Sequence, residues 1–173
     1  RNTLSLHDAL RSTPNDSSLI INVIVDHLGL LTPSKGRDKK QEIDLCSSYC
    51  VRFREVCGVS FDIVMQENRN AGGMDRRKAD LSESTAEDIK DSGNAYNDCN
   101  VCIAVYHPLK YQLTSYRGYR VLDSKDGCEK GLGGAIRWLI LLKHRFGNAN
   151  KAFVTGFQGS VGRFVELPKP DDI

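Results

Sequence analysis

Leu19–Val25 reads LIINVIV, an apolar, β-branched run that stops abruptly at Asp26. Such a run has little polar face, so it predicts a strand buried on both sides, as in a parallel sheet covered by helices. A parallel partner strand requires a long crossover, usually helical. The following residues supply one. Thr32–Gln41 (TPSKGRDKKQ) is a polar loop. Glu42–Cys57 then places Ile43, Cys46, Cys50, Phe53 and Cys57 on one helical face, and Gly58 stops it. Val59–Met65 reads as a second strand. Strand, loop, helix and strand make a βαβ unit with a right-handed crossover.

Further along, Asn68–Ser84 (NRNAGGMDRRKADLSES) is long, polar and glycine-containing, the kind of loop that is functional or disordered. Thr85–Ser92 predicts a short helix, and Val101–Tyr106 a third buried strand closed by Pro108. Leu109–Gly134 is irregular, with tyrosines interleaved among basic residues. Ala135–Leu142 (AIRWLILL) predicts a fourth strand, Phe146–Asn150 a turn, and Lys151–Gly156 its hairpin partner. Gly159–Leu167 adds an edge strand. The expected class is therefore α/β, a mostly parallel sheet with a C-terminal antiparallel β-hairpin.

One domain over 19–168 is expected, with 169–173 as a tail. Residues 1–18 do not read as a domain start. RNTLSLHDAL resembles translated sequencing-adapter read-through, which implies a missing natural N-terminus and no function for Arg1–Leu10; a disordered terminus is the other reading. The 173 residues are 40% hydrophobic and 27% charged, which excludes wholesale disorder. A net charge of +2 leaves nucleic-acid affinity to local patches. No apolar run is long enough to span a bilayer and no signal peptide is visible, so a cytoplasmic protein without membrane contact is expected.

The six cysteines divide into Cys46, Cys50 and Cys57 on the helical face, Cys99 and Cys102 in a C-x-x-C, and Cys128 in a loop. The C-x-x-C enters a strand-like run, where an i, i+3 pair points to opposite faces. With no second C-x-x-C and no H-x-x-x-H, zinc is unsupported and reduced thiols are expected. GLGG at Gly131–Gly134 and GFQGSVG at Gly156–Gly162 are not followed by a helix, so they read as turn glycines rather than phosphate loops. G-x-S-x-G is absent, so a hydrolase elbow at Ser160 has no support.

Ligands of parallel α/β sheets bind at the carboxyl ends of the strands. Asp26 closes the first strand and Gln66 the second, so a carboxylate and an amide should leave one edge together. A lone carboxylate there can support Mg²⁺ through water, and a glutamine can orient a γ-phosphate or an attacking water. The alternative is an aspartate that caps a loop. Lys143-His144-Arg145 ends the fourth strand, and alternate residues share a face, so both cations aim at one target. A solvated basic strand end is the alternative. Three basic clusters could meet nucleic acid. These are Lys35, Arg37, Lys39 and Lys40; Arg69, Arg76, Arg77 and Lys78; and Lys110, Arg117 and Arg120 among Tyr106, Tyr111, Tyr116 and Tyr119.

LIINVIVDHLGLL, SFDIVMQENR, IKDSGNAYNDCNVCIAVYHP and WLILLKHRFGNANKAFVTGFQGSVGRF, in that order, resemble the C-terminal part of the RecA-like ATPase domain of DnaB-type replicative helicases. The resemblance runs from Leu19 to Pro168, and YRGYRV within the insert looks most like phage-encoded members. It implies a partial RecA-like three-layer fold whose N-terminal strands and phosphate loop are missing. By resemblance, Asp26 is the Walker B aspartate that supports Mg²⁺, and Gln66 links the γ-phosphate to the DNA loops. Lys90-Asp91-Ser92-Gly93 matches the loop that holds the single-strand backbone, with Lys where Arg is usual. Asp98 and Asn100 fall on a D-x-D whose second acid is absent. Lys143 and Arg145 match the K-x-R that reaches the neighbouring subunit's nucleotide, Arg145 as the arginine finger. Arg69, Arg76, Arg77 and Lys78 follow Gln66 and are the preferred further DNA contacts.

The implied cofactors are ATP and Mg²⁺. The implied partners are single-stranded DNA, tracked 5′ to 3′, and identical subunits in a ring, a hexamer. A primase or loader is a further implied partner, and the cell is bacterial or phage-infected. A non-catalytic RecA-fold module that binds DNA or regulates a partner ATPase is the second reading. No lysine is followed by Ser or Thr, so G-x-x-x-x-G-K-[ST] is absent and the chain by itself should not turn over ATP. An ATPase assay on the purified chain checks this. Turnover that disappears with Asp26→Ala would show the loop to be replaced.

Overall fold

The computed structural model describes residues 21–68, 83–89, 93–123 and 131–170. Strand β1 (Asn22–Val25) and β2 (Ser60–Ile63) pair in parallel, Asn22 against Ser60 and Val25 against Ile63. Between them runs helix α1 (Lys39–Cys57), so the βαβ unit is present. The helix begins three residues before the expected Glu42 because Asp38 and Gln41 form a capping box. The Asp38 carboxylate accepts from Gln41 N at 2.8 Å and Gln41 Oε1 accepts from Asp38 N at 3.0 Å. It ends at Gly58, whose φ of 65° is the left-handed conformation that glycine adopts without strain.

Helix α2 (Gly93–Asp98) precedes β3 (Val101–Tyr106). A tight hairpin follows, β4 (Ser115–Tyr116) and β5 (Tyr119–Arg120). Its two turn residues, Arg117 and Gly118, both have positive φ, as a right-twisted two-residue hairpin requires. Three strands complete the chain: β6 (Ile136–His144), β7 (Lys151–Gln158) and β8 (Arg163–Glu166). The larger sheet has the order β3-β6-β7-β8 and is antiparallel throughout.

The expectation of a mostly parallel sheet is therefore corrected. Among the described residues only β1 and β2 are parallel. The physical reason is connection length: residues 145–150 and 159–162 link β6 to β7 and β7 to β8, too few for a crossover. Strands expected to be buried on both faces also differ. Ile24 on β1 is 70% exposed, and Val101, Ile103 and Val105 on β3 are exposed while Ala104 and Tyr106 are buried. In place of the helix expected over Thr85–Ser92 there is one 3-10 turn, Ala86–Asp88; residues 90–92 lie outside the described residues.

The core lies on one face of the antiparallel sheet. Ile136, Trp138 and Ile140 alternate inward along β6 and pack with Ala104, Tyr106, Tyr111, Tyr119 and Val121. Trp138 meets Tyr116 and Tyr119 edge-on at centroid distances of 5.1 and 5.6 Å, and Tyr106 stacks on Tyr111 at 5.2 Å. Helix α1 is joined to α2 by buried Ser47, whose hydroxyl donates to Asp98 Oδ2 at 2.6 Å. Arg54 donates to the Asp98 carbonyl at 3.2 Å. Asp38→Ala removes the α1 cap and should lower stability by about 1 kcal/mol. Urea denaturation checks it, and an unchanged midpoint would mean that the cap contributes nothing.

Candidate functional site

Parallel pairing sends β1 and β2 out at the same rim. Val64 N donates to Val25 O at 2.9 Å, and Leu28 N donates to Val64 O at 3.2 Å, so the two exits stay laced together. Asp26 follows directly and is exposed. Gln66, also exposed, lies on the same side; its Nε2 is 3.3 Å from His27 Nε2. The peptide between Asp26 and His27 is cis. Buried Leu28 anchors the segment, and the Lys39 ammonium donates to the Gly29 carbonyl. Asp26 and Gln66 thus leave at one open edge, with the imidazole of His27 beside Gln66.

Lys143 and Arg145 also share a side, but both touch their own chain. Lys143 stands across from Cys102 in the β3–β6 register. Its ammonium donates to the Tyr96 and Asn97 carbonyls at 2.7 Å each and lies 5.1 Å from the centre of the Tyr96 ring. A cation there meets the negative end of α2. Arg145 is exposed beyond the end of β6; its N donates to Asn100 O at 2.8 Å and its Nη1 to Asn100 Oδ1 at 3.2 Å. Of the D-x-D, Asp98 fastens α1 to α2 and Asn100 holds Arg145.

Gly93 opens α2 and is exposed. Lys90, Asp91 and Ser92, and Arg69, Arg76, Arg77 and Lys78, lie outside the described residues. The third basic cluster is corrected. Tyr106, Tyr111 and Tyr119 are buried in the core, and Tyr116 packs against it, so those rings hold the fold together rather than offering faces to bases. Arg117 lies over Trp138 at 5.6 Å and chelates the Glu83 carboxylate at 2.9 and 3.0 Å. The Tyr116 hydroxyl also donates to Glu83, and burial followed by that bond pushes the phenol's pKa up. In the first cluster, Arg37 lies 3.6 Å from Glu42.

The cysteine expectation is corrected too. Cys99 lies in the turn after α2, not in β3, so the alternation that would send the two C-x-x-C thiols to opposite faces of a strand does not apply to the pair. Cys99 Sγ donates to the Tyr96 carbonyl at 3.2 Å. The hydrogen bond from Cys102 holds the Cys99 thiol down at about 7, and the charges of Lys143 and Arg145 act in the same direction. Cys102 is pushed up correspondingly. Among the described residues no group of three or more His, Cys, Asp and Glu could hold a metal ion. No described helix is long and apolar enough to cross a membrane.

A parallel βαβ unit with its polar rim, continued by an antiparallel ribbon, is a RecA-like α/β fold. More particularly, the fold is similar to that of an ATPase domain and of a DnaB-like replicative helicase among solved structures. One solved structure, itself an isolated ATPase domain, matches with a TM-score of 0.68 at 20% identity, over 94% of this chain and 49% of that one. A DnaB-like replicative helicase, studied for its interactions with primase, matches with a TM-score of 0.67 at 21% identity, over 94% of this chain and 34% of that one. The chain thus spans about half and about a third of these solved structures. No family model matches the chain, and no curated protein does.

A thiolate alkylates and a thiol does not, so a lowered pKa moves the rate profile to lower pH. Iodoacetamide labelling of Cys99 should be half-maximal near pH 7, against about 8.5 for a free thiol. Cys102→Ala should move the midpoint upward. Peptide mass spectrometry over a pH series checks this, and a midpoint at the free-thiol value would remove the Cys102 bond from the account.

Proposed function

We propose that this chain is part of the ATPase domain of a ring-forming replicative DNA helicase, which couples ATP hydrolysis between subunits to movement along single-stranded DNA. The observation that carries the reading is that Asp26 and Gln66 leave a parallel strand pair at the same exposed rim, in a fold shared with helicase ATPase structures. The Walker B role of Asp26, the γ-phosphate role of Gln66 and the 5′ to 3′ direction belong to this proposal. So do strand contacts by Lys90, Asp91, Ser92, Gly93, Arg69, Arg76, Arg77 and Lys78.

The rim suits Mg²⁺ in one particular way. Asp26 is a single exposed carboxylate, and no described cluster makes a metal cage. It would hold the ion's water while nucleotide phosphates fill other positions, the usual arrangement for a strongly hydrated cation. Bound Mg²⁺ would neutralise phosphate charge. Gln66, with one donor and one acceptor group, orients a phosphate oxygen or a water. The sequence holds no G-x-x-x-x-G-K-[ST], so turnover is proposed for a longer protein that includes that loop. Identical subunits, arranged as a hexamer, and a primase or loader are the proposed partners. The neighbour studied with primase supports the last of these by analogy only.

In the motor reading, Lys143 and Arg145 release the turn at residues 96–100 and reach an adjacent subunit's nucleotide. Their hydrogen bonds within the chain favour the second reading, a RecA-fold module that binds DNA or regulates a partner ATPase without hydrolysis. Subunit mixing separates the two. In the complete protein, Asp26→Ala and Arg145→Ala should each reduce DNA-stimulated ATP turnover by at least about tenfold, since arginine fingers contribute about 10³–10⁵. Mixing the two variants should restore part of the activity, because some interfaces then pair an intact Asp26 with an intact Arg145. Wild-type turnover in both variants, or no recovery in the mixture, would discard the shared-site model.

A further inference from the structure

His27 sits where the two strand exits are laced together. Leu28 N donates to the carbonyl of Val64, two residues before Gln66, and Leu30 N donates to His27 O at 3.0 Å. The backbone is therefore pinned just after the ring. The ring itself lies against Gly29. A Cβ at that position would stand 2.6 Å from His27 Nδ1 and 2.6 Å from Cε1, closer than a side-chain carbon can approach. Gly29 is not among the glycines with positive φ, so the imidazole, not the backbone, is what calls for glycine there. His27 Nδ1 is buried and has no hydrogen-bond partner. On the other side of the ring, Nε2 lies 3.3 Å from Gln66 Nε2. Among the described residues Gln66 is the imidazole's one hydrogen-bond partner.

An amide nitrogen donates and does not accept, so the ring nitrogen that it meets has to be the unprotonated one. The contact therefore makes Nε2 the acceptor and puts the ring proton on Nδ1. We infer that His27 is a positioning residue for Gln66: its neutral imidazole takes one N–H of the carboxamide and holds the amide at the rim with its oxygen and second N–H unspent. What the held amide then does rests on the helicase reading, in which it orients a γ-phosphate oxygen or the attacking water. An exposed glutamine is otherwise free about its side-chain bonds, and fixing it beforehand removes that entropy from the barrier. The effect falls on turnover, because the alignment matters most as the phosphoryl group transfers.

A ring that only fills space above Gly29 makes a different prediction for its proton. Nδ1 is enclosed without an acceptor, and an N–H buried that way is costly. Left to itself, the imidazole keeps its proton on Nε2. The bond from Gln66 reverses that preference, so the tautomer reports the contact directly.

Long-range proton–nitrogen NMR of this chain at about pH 8, above the ordinary imidazole range, reads the tautomer. The wild-type ring should carry its proton on Nδ1, and Gln66→Leu should move it to Nε2. Gly29→Ala, whose methyl displaces the ring, should do the same. A wild-type ring protonated on Nε2, or a tautomer indifferent to Gln66→Leu, would overturn the inference. In the complete protein, His27→Phe keeps a flat ring but no acceptor. It should lower kcat about fivefold, the worth of one neutral hydrogen bond, with KM for ATP unchanged. His27→Gln offers an amide oxygen in place of Nε2 and should restore most of the loss. Wild-type kcat in His27→Phe, beside a Gln66→Ala variant that has lost turnover, would reject the positioning role and leave the helicase reading standing. Full turnover in Gln66→Ala would instead remove Gln66 from the helicase reading, while the spectra still decide the ring–amide bond.

Discussion

Val25 and Ile63 lie opposite each other in a parallel register, and that pairing decides where the polar chemistry of the N-terminal half can be. Had β2 run antiparallel, Gln66 would leave at the far end of the pair from Asp26. The connection prevents this. A 19-residue helix rises about 28 Å, which carries the chain back along the strands before β2 begins. The capping box at Asp38 and the left-handed Gly58 set its two ends. The rim is then stitched by backbone bonds from Val64 and Leu28, and Asp26 and Gln66 stay exposed there. The scaffold is local and hydrogen-bonded, and the chemistry sits on its edge.

A second arrangement acts on the other side of the molecule. Lys143 donates to two carbonyls at the end of α2, and Arg145 to Asn100, so the strand end and the turn hold each other. A hydrogen bond to a charged group is worth roughly 1.5–3 kcal/mol net when partly buried, and less in the open. Any other partner of these cations has to offer more than this before they leave the turn. Arg145, exposed and with one side-chain bond, gives up less than Lys143, which has two bonds and a ring beneath it. The two residues of the K-x-R are thus inequivalent: Lys143 is the more firmly held and Arg145 the more exposed.

How much of this is legible in the residues depends on whether each signal is local. Asp26 and Gln66 follow apolar runs, and a strand's end is written in the few residues around it. Gly58 ends α1 for the same reason. The start of α1 is hidden because Asp38 and Gln41 look like ordinary loop polars until they cap each other. The tyrosines mislead because interleaved aromatic and basic residues suit strand binding as well as they suit a core. Only the Arg117–Gly118 turn, which folds Tyr116 and Tyr119 onto Trp138, decides the matter, and that closure is tertiary. The C-x-x-C turns on the placement of a single residue. Counting Cys99 into the strand sends the thiols to opposite faces, while ending α2 at Asp98 leaves Cys99 in a turn where that alternation does not hold.

The two halves are connected by more than the chain itself. Beyond Gln66, Glu67 bridges to Ile89, and Asn68 N donates to the Asp88 carbonyl at 2.6 Å. Asp88 is buried, and its carboxylate is satisfied by the Thr85 amide at 2.7 Å and hydroxyl at 2.8 Å. Two residues before Thr85, Glu83 is gripped by Arg117 and Tyr116 against Trp138. An exposed ion pair alone contributes little, about 1 kcal/mol or less. Here the guanidinium lies over an indole and the carboxylate also binds a half-buried phenol, so the contact is fixed by packing. A displacement at Glu67 would therefore have to strain a satisfied buried carboxylate and a ring cluster, and neither deforms gradually. The rim that carries Asp26 and Gln66 and the aromatic core are thus fastened through Asn68 and Asp88.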